Sequence, residues 1–199
     1  MNENYELIVI GASWGGLHAV GKILSALPEQ TDAAIVVAQH RRTDTVEGGL
    51  ATILGLRSQL PVGDAVDKQP ILPRHVYLAP PDYHLLIQHG WFSLSTDEHV
   101  HYARPSIDVL FESAADAYGE QVIGLILTGS NEDGAAGLAR IKERGGVAIV
   151  QDPRTAERGE MPGAAVAATA ADAILPLEEI GPFLYGLVVP PAPRREVSA

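Results

Sequence analysis

Apolar residues along this chain fall into two alternating rhythms. Leu7–Ile10, Ala33–Gln39, Val122–Thr128 and Val147–Gln151 are short continuous apolar runs, the kind buried on both faces of a parallel sheet. Between them, Leu17, Val20, Leu24 and Leu27, and later Ile107, Leu110, Phe111 and Ala114, recur at helical spacing. Helices are predicted as well over 43–56, where Val46, Leu50, Ile53 and Leu54 share one side, and over 135–144, 162–170 and 177–188. Ser106 is a good N-cap for the helix that Asp108 begins to charge favourably. Such a strand–helix–strand succession gives right-handed crossovers and puts the C-terminal strand ends on one edge, where open α/β sheets bind ligands. The middle of the chain differs: 71–79 reads as a short strand, and 84–88 with 91–94 as an antiparallel hairpin about His89-Gly90.

Composition narrows the class. With 199 residues, 46% hydrophobic and 20% charged, the chain suits one domain, taken as 1–189, with 190–199 expected to be a disordered tail. No apolar run approaches the ~20 residues of a membrane span. Glu3 and Glu6 stand where a signal peptide needs basic and then apolar residues, so a cytoplasmic protein without membrane insertion is expected. The lack of cysteine removes disulfides, thiolate metal sites and a cysteine nucleophile. A net charge of -11 argues against nucleic acid and anionic membranes. The local exception is Arg41-Arg42, which could receive an acidic protein segment or simply be solvated.

The chemistry gathers at strand ends. Gly11-x-Ser13-x-Gly15 follows the first apolar run and fits a nucleophile elbow, with helix-start amides ready for an oxyanion. Capping of the helix by Ser13, or phosphate and dinucleotide binding by the glycines, are the alternatives. The spacing is not G-x-G-x-x-G, however, and the second strand ends in Gln39-His40 rather than an acid. Ser13, His40 and Asp133 each follow a different predicted strand and are the three types that an activated serine requires. His18 is the rival base and Glu132 the rival acid, while Asp133 also suits an Asp-Gly turn that caps a helix. His75, His84 and His89 are expected to be structural, as are Trp91 and Phe92. His99-x-His101 lacks an obvious third ligand, so no metal and no cofactor is expected.

Val9-Ile10-Gly11-Ala12-Ser13 with Gly15-Gly16, Gln39-His40, Pro81-Asp82-Tyr83-His84-Leu85, Arg104-Pro105-Ser106-Ile107-Asp108, Leu127-Thr128-Gly129, Asp133-Gly134-Ala135 and Met161-Pro162 follow one another in this order. Together they resemble the catalytic domain of CheB-type chemoreceptor methylesterases. The resemblance implies a doubly wound, mainly parallel sheet with helices on both faces and an antiparallel hairpin. It also implies hydrolysis of glutamate methyl esters on receptors, often with glutamine deamidation, by Ser13, His40 and Asp133. The chain departs from the family pattern at Trp14 (commonly Thr), Ser130-Asn131, Arg41-Arg42 and Glu160. Backbone amides of Trp14 and Ser130 would still serve an oxyanion, and Arg41, Arg42 and Met161 are expected to meet substrate. The partner implied is a methylated chemoreceptor or a similar helical acidic segment. No N-terminal receiver domain is expected, because few residues precede the first strand. A silent binding module of the same fold and a nucleotide-binding Rossmann-like protein are the competing readings.

Overall fold

The computed structural model describes residues 5–40 and 49–189. Nine strands are found among them: β1 (Leu7–Ala12), β2 (Ala34–Gln39), β3 (Val62–Asp64), β4 (Val76–Leu78), β5 (His84–Gln88), β6 (Trp91–Ser95), β7 (Val122–Ile126), β8 (Val147–Gln151) and β9 (Ala173–Leu175). The α-helices are α1 (Gly16–Ala26), α2 (Gly49–Gly55), α3 (Ile107–Tyr118), α4 (Ala135–Glu143), α5 (Glu160–Ala168) and α6 (Leu177–Val188). Seven strands form one sheet in the order β3-β4-β2-β1-β7-β8-β9, parallel throughout, while β5 and β6 pair antiparallel as a separate ribbon. The expected doubly wound architecture is therefore present.

The pleat sorts β1 between two cores. Ile8 and Ile10 face Val20, Ile23 and Leu24 of α1 with Ile180 and Leu184 of α6, whereas Leu7 and Val9 face Leu110 and Phe111 of α3, Leu138 of α4 and Phe92 of the ribbon. Both faces are dry, so β1 needs no polar alternation, and its whole length is buried. The order β2-β1-β7 at the centre decides the chemistry, because it brings three strand ends side by side.

Two expectations are corrected in extent. The strand read over 71–79 shortens to β4, since Pro73 has no amide to donate and Arg74 turns with φ 63° before pairing begins. Of the helix read over 43–56, α2 occupies Gly49–Gly55, and 41–48 lie outside the described residues, as do 1–4 and the tail 190–199.

Candidate active site

Ser13 lies in the turn between β1 and α1. Gly15 caps α1 with φ 79°, a conformation that a side chain would strain, and no side chain caps this helix. The alternative in which Ser13 is merely a cap is thereby removed. The turn is pinned from both neighbouring strands. Ser13 N donates to Thr128 O at 2.9 Å, and Thr128 Oγ1 donates to Trp14 O at 2.9 Å. On the other side Gln39 Nε2 donates to Ser13 O at 2.7 Å and to His40 O at 3.0 Å. A Cβ on Gly16 would collide with the Gln39 amide, so this glycine is what admits the bridge.

His40, at the end of β2, donates from Nε2 to Asp133 Oδ2 at 2.7 Å. That bond leaves Nδ1 as the ring atom free to accept a proton. Asp133 is fully buried and accepts three more hydrogen bonds: Ser106 Oγ at 2.8 Å, Ile107 N at 2.7 Å and Asp108 N at 3.0 Å. Burial alone would push its carboxyl up. The bond from His40 and the amides of Asp108 and Ile107 outweigh burial and hold it below the usual carboxylate range. Asp133 is thus an anion seated on the N-terminus of α3, oriented before any substrate arrives. No hydrogen bond joins Ser13 Oγ to His40 among the described residues.

The acid that follows Ser106 mirrors this arrangement. Asp108, in the first turn of α3, accepts from Gly134 N at 2.9 Å and Gly137 N at 2.7 Å, at the start of α4. Each helix is capped by the other's acid. Burial raises Asp108 to about 6, helped by the neighbouring Asp133 charge and opposed by the Gly137 amide and His101. A carboxyl that ionises less readily when folded costs stability once the pH exceeds its unfolded value, and the full cost, on the order of 3 kcal/mol, stands above its folded value. Asp108→Asn retains an oxygen for both glycine amides and removes that cost. Thermal unfolding should then show a gain of a few degrees at pH 7 that shrinks as the pH falls from 6 toward 4; a loss at pH 7 would contradict this account.

Two amides expected to hold an oxyanion, those of Trp14 and Ser130, donate to no acceptor among the described residues. The Trp14 indole is 60% exposed and fixed from behind: its Nε1 donates to Glu157 Oε1 at 2.8 Å, and the Arg158 guanidinium lies 5.7 Å from the ring centre. Sequence reading missed Glu157, which no local pattern marks.

Met161 is a correction. Expected at the substrate, it is 1% exposed and packs against Gly129, while its amide donates to Gly129 O at 3.0 Å, so it supports the loop after β7 from below. Arg41 and Arg42 lie outside the described residues.

His18 lines a cleft of about 290 Å³ with Arg154, Glu157 and Glu178, on the flank of the turn. Glu132 is exposed and approaches His101, not His40. His75 stacks on Tyr77, His89 leans on Tyr118, and Phe92 packs edge-on to Tyr77. His84 has a larger part than expected. Its Nε2 bonds Glu98 O at 2.9 Å and its Nδ1 accepts from Ser106 N at 3.2 Å, so the ribbon steadies the serine that bonds Asp133. His101, Asp108 and Asp133 each bring one potential ligand atom within 4.8 Å of the others, without His99. Both Asp133 oxygens are engaged by Ser106, His40 and the two α3 amides, and Asp108 Oδ1 by the glycine amides, while Asp108 Oδ2 faces His101.

The CheB methylesterase family profile matches residues 8–184. A Leptospira interrogans protein provisionally named protein-glutamate methylesterase/protein-glutamine glutaminase is 49% identical over 187 residues, 92% of this chain and 95% of that protein. A Nitrosospira multiformis protein named for the same two activities is 38% identical, and there the match spans 92% of this chain but 52% of the relative. The crystal structure of the Thermotoga maritima CheB methylesterase catalytic domain superposes with a TM-score of 0.87 at 34% identity, covering 93% of this chain and 100% of that one. Through a profile match along nearly its whole described length, and with these relatives, the chain belongs to the CheB methylesterase family.

Proposed function

We propose that Ser13, His40 and Asp133 hydrolyse methyl esters of glutamate side chains on a protein substrate, a methylated chemoreceptor or a similar helical acidic segment. The observation that carries this reading is the buried anion Asp133 bonded to His40 beside an uncapped serine turn. Ser13 Oγ attacks the ester carbonyl while His40 Nδ1 takes the hydroxyl proton. Asp133 holds the ring and stabilises the imidazolium, and the Trp14 and Ser130 amides receive the negative oxygen. The tetrahedral adduct collapses, methoxide leaves with the proton from His40, and a glutamyl–Ser13 ester remains. Water activated by the same imidazole then releases the glutamate. Glutamine deamidation follows the same path with ammonia leaving.

The test is methanol release from a methylated receptor fragment, together with fluorophosphonate labelling of Ser13. Release with labelling supports the reading; neither would shift the assignment to a silent binding module.

Arg41 and Arg42 directly follow the base in a chain of net charge -11, and we assign them the acidic part of the segment. Replacing both with serine should weaken turnover of the receptor fragment, with the larger deficit at low salt, where charges are least screened. Turnover that keeps its rate and salt dependence in the double variant would remove this docking role.

A further inference from the structure

Segment 100–103 closes a two-residue turn. Val100 N donates to Ala103 O at 3.2 Å and Ala103 N to Val100 O at 2.9 Å. The residues between, His101 and Tyr102, have φ of 49° and 61°. Positive φ at both central positions is the signature of a type I′ turn, which ordinarily selects Asn-Gly. A ring-bearing side chain at each position is strained, and such strain persists only where surroundings impose it and tends to accompany function.

His101 supplies the constraint. Its Nε2 lies 3.3 Å from Asp108 Oδ2 and its Nδ1 3.5 Å from Glu132 Oε1, and a ring nitrogen is within 4.8 Å of the Asp133 carboxylate that holds His40. The turn is therefore tied to Asp108 and Glu132 and lies close to Asp133. Tyr102 is held at its tip fully exposed, with no hydrogen-bond partner among the described residues.

We infer that this turn docks the protein substrate, with the Tyr102 ring lying against aliphatic side chains of the segment that flanks the esterified glutamate. The inference rests on the esterase reading above. A protein substrate extends well beyond the reacting carbonyl, so much of its affinity must come from groups around the site, and rigidly presented aromatic rings are the side chains that supply it at small entropic cost. Glu98 and Glu132 are exposed beside the turn, which disfavours an anionic stretch there.

The experiment compares Tyr102→Ser and Tyr102→Phe on two substrates, a methylated receptor fragment and p-nitrophenyl acetate. Because the side chain packs on nothing, both variants should keep the wild-type melting temperature. Tyr102→Ser should raise KM for the receptor fragment about fivefold or more, with kcat and p-nitrophenyl acetate hydrolysis unchanged, and Tyr102→Phe should behave as wild type. An unchanged KM for the fragment overturns the docking role while leaving the esterase reading intact. Equal losses on both substrates also overturn it, since they would make the turn a support for the catalytic residues. A wild-type protein inert on both substrates overturns the esterase reading, and the docking role with it.

Discussion

Ser13→Ala should reduce methanol release by on the order of 10⁴-fold or more, and His40→Gln should cost about as much, because nucleophile and base act as one unit. The structure gives this expectation its physical content. Ser13 lies in a turn pinned to both neighbouring strands, so alanine should leave the backbone and its free amides in place and remove only the attacking oxygen. His40→Gln removes the proton acceptor, while Gln39 still ties the two carbonyls together. Both variants should therefore melt near the wild-type temperature. Undiminished methanol release by Ser13→Ala would exclude the mechanism.

Asp133 is expected to separate into a catalytic and a structural effect. Asp133→Asn should lose no more activity than Ser13→Ala, because the amide keeps one acceptor and much of the shape but presents a donor to groups that themselves donate. Asp133→Ala should do something different. It strips the acceptor from Ser106 Oγ, Ile107 N, Asp108 N and His40 Nε2, all in or beside a buried helix start. Leaving buried donors unpaired costs about 1–3 kcal/mol each, not additively, and a loss of roughly 3–5 kcal/mol overall is expected. Urea unfolding measures this as a lower midpoint; a midpoint within experimental error of wild type would show that the capping adds nothing. The acid limb has a definite sign as well. The folded carboxyl ionises below its ordinary value of 3.8, so its contribution is present above pH 3.8 and is lost as the pH falls through the lower folded value.

These two roles of one residue show where sequence reading reached its limit. Asp133 could be put forward as the acid from the sequence because the polar loop that carries it follows a continuous apolar run, as Ser13 and His40 follow theirs. A run of that kind reports burial on both faces, which only a covered sheet provides, and the polar residue after it marks the edge where ligands bind. Ser106 was legible as an N-cap from its place before a helical pattern, and its side chain does accept from Val109 N. Its proton, however, goes to Asp133, a partner 27 residues away. Met161 was misjudged because its family position says that it lies near the site, whereas burial depends on the loop it supports.

The sequence by itself thus determined the alternation of strands and helices, the family, and the three residue types at three strand ends. Those features are carried by periodicity and by short motifs, which act over a few neighbouring residues. Tertiary structure alone decided that β2, β1 and β7 are adjacent, that Asp108 and Asp133 exchange helix ends, that Glu157 fixes the Trp14 indole, and that His101, at positive φ, reaches Asp108 and Glu132. Each of these joins residues far apart in the chain. The partner of a buried polar group is set by which elements pack side by side, and no local pattern records that choice.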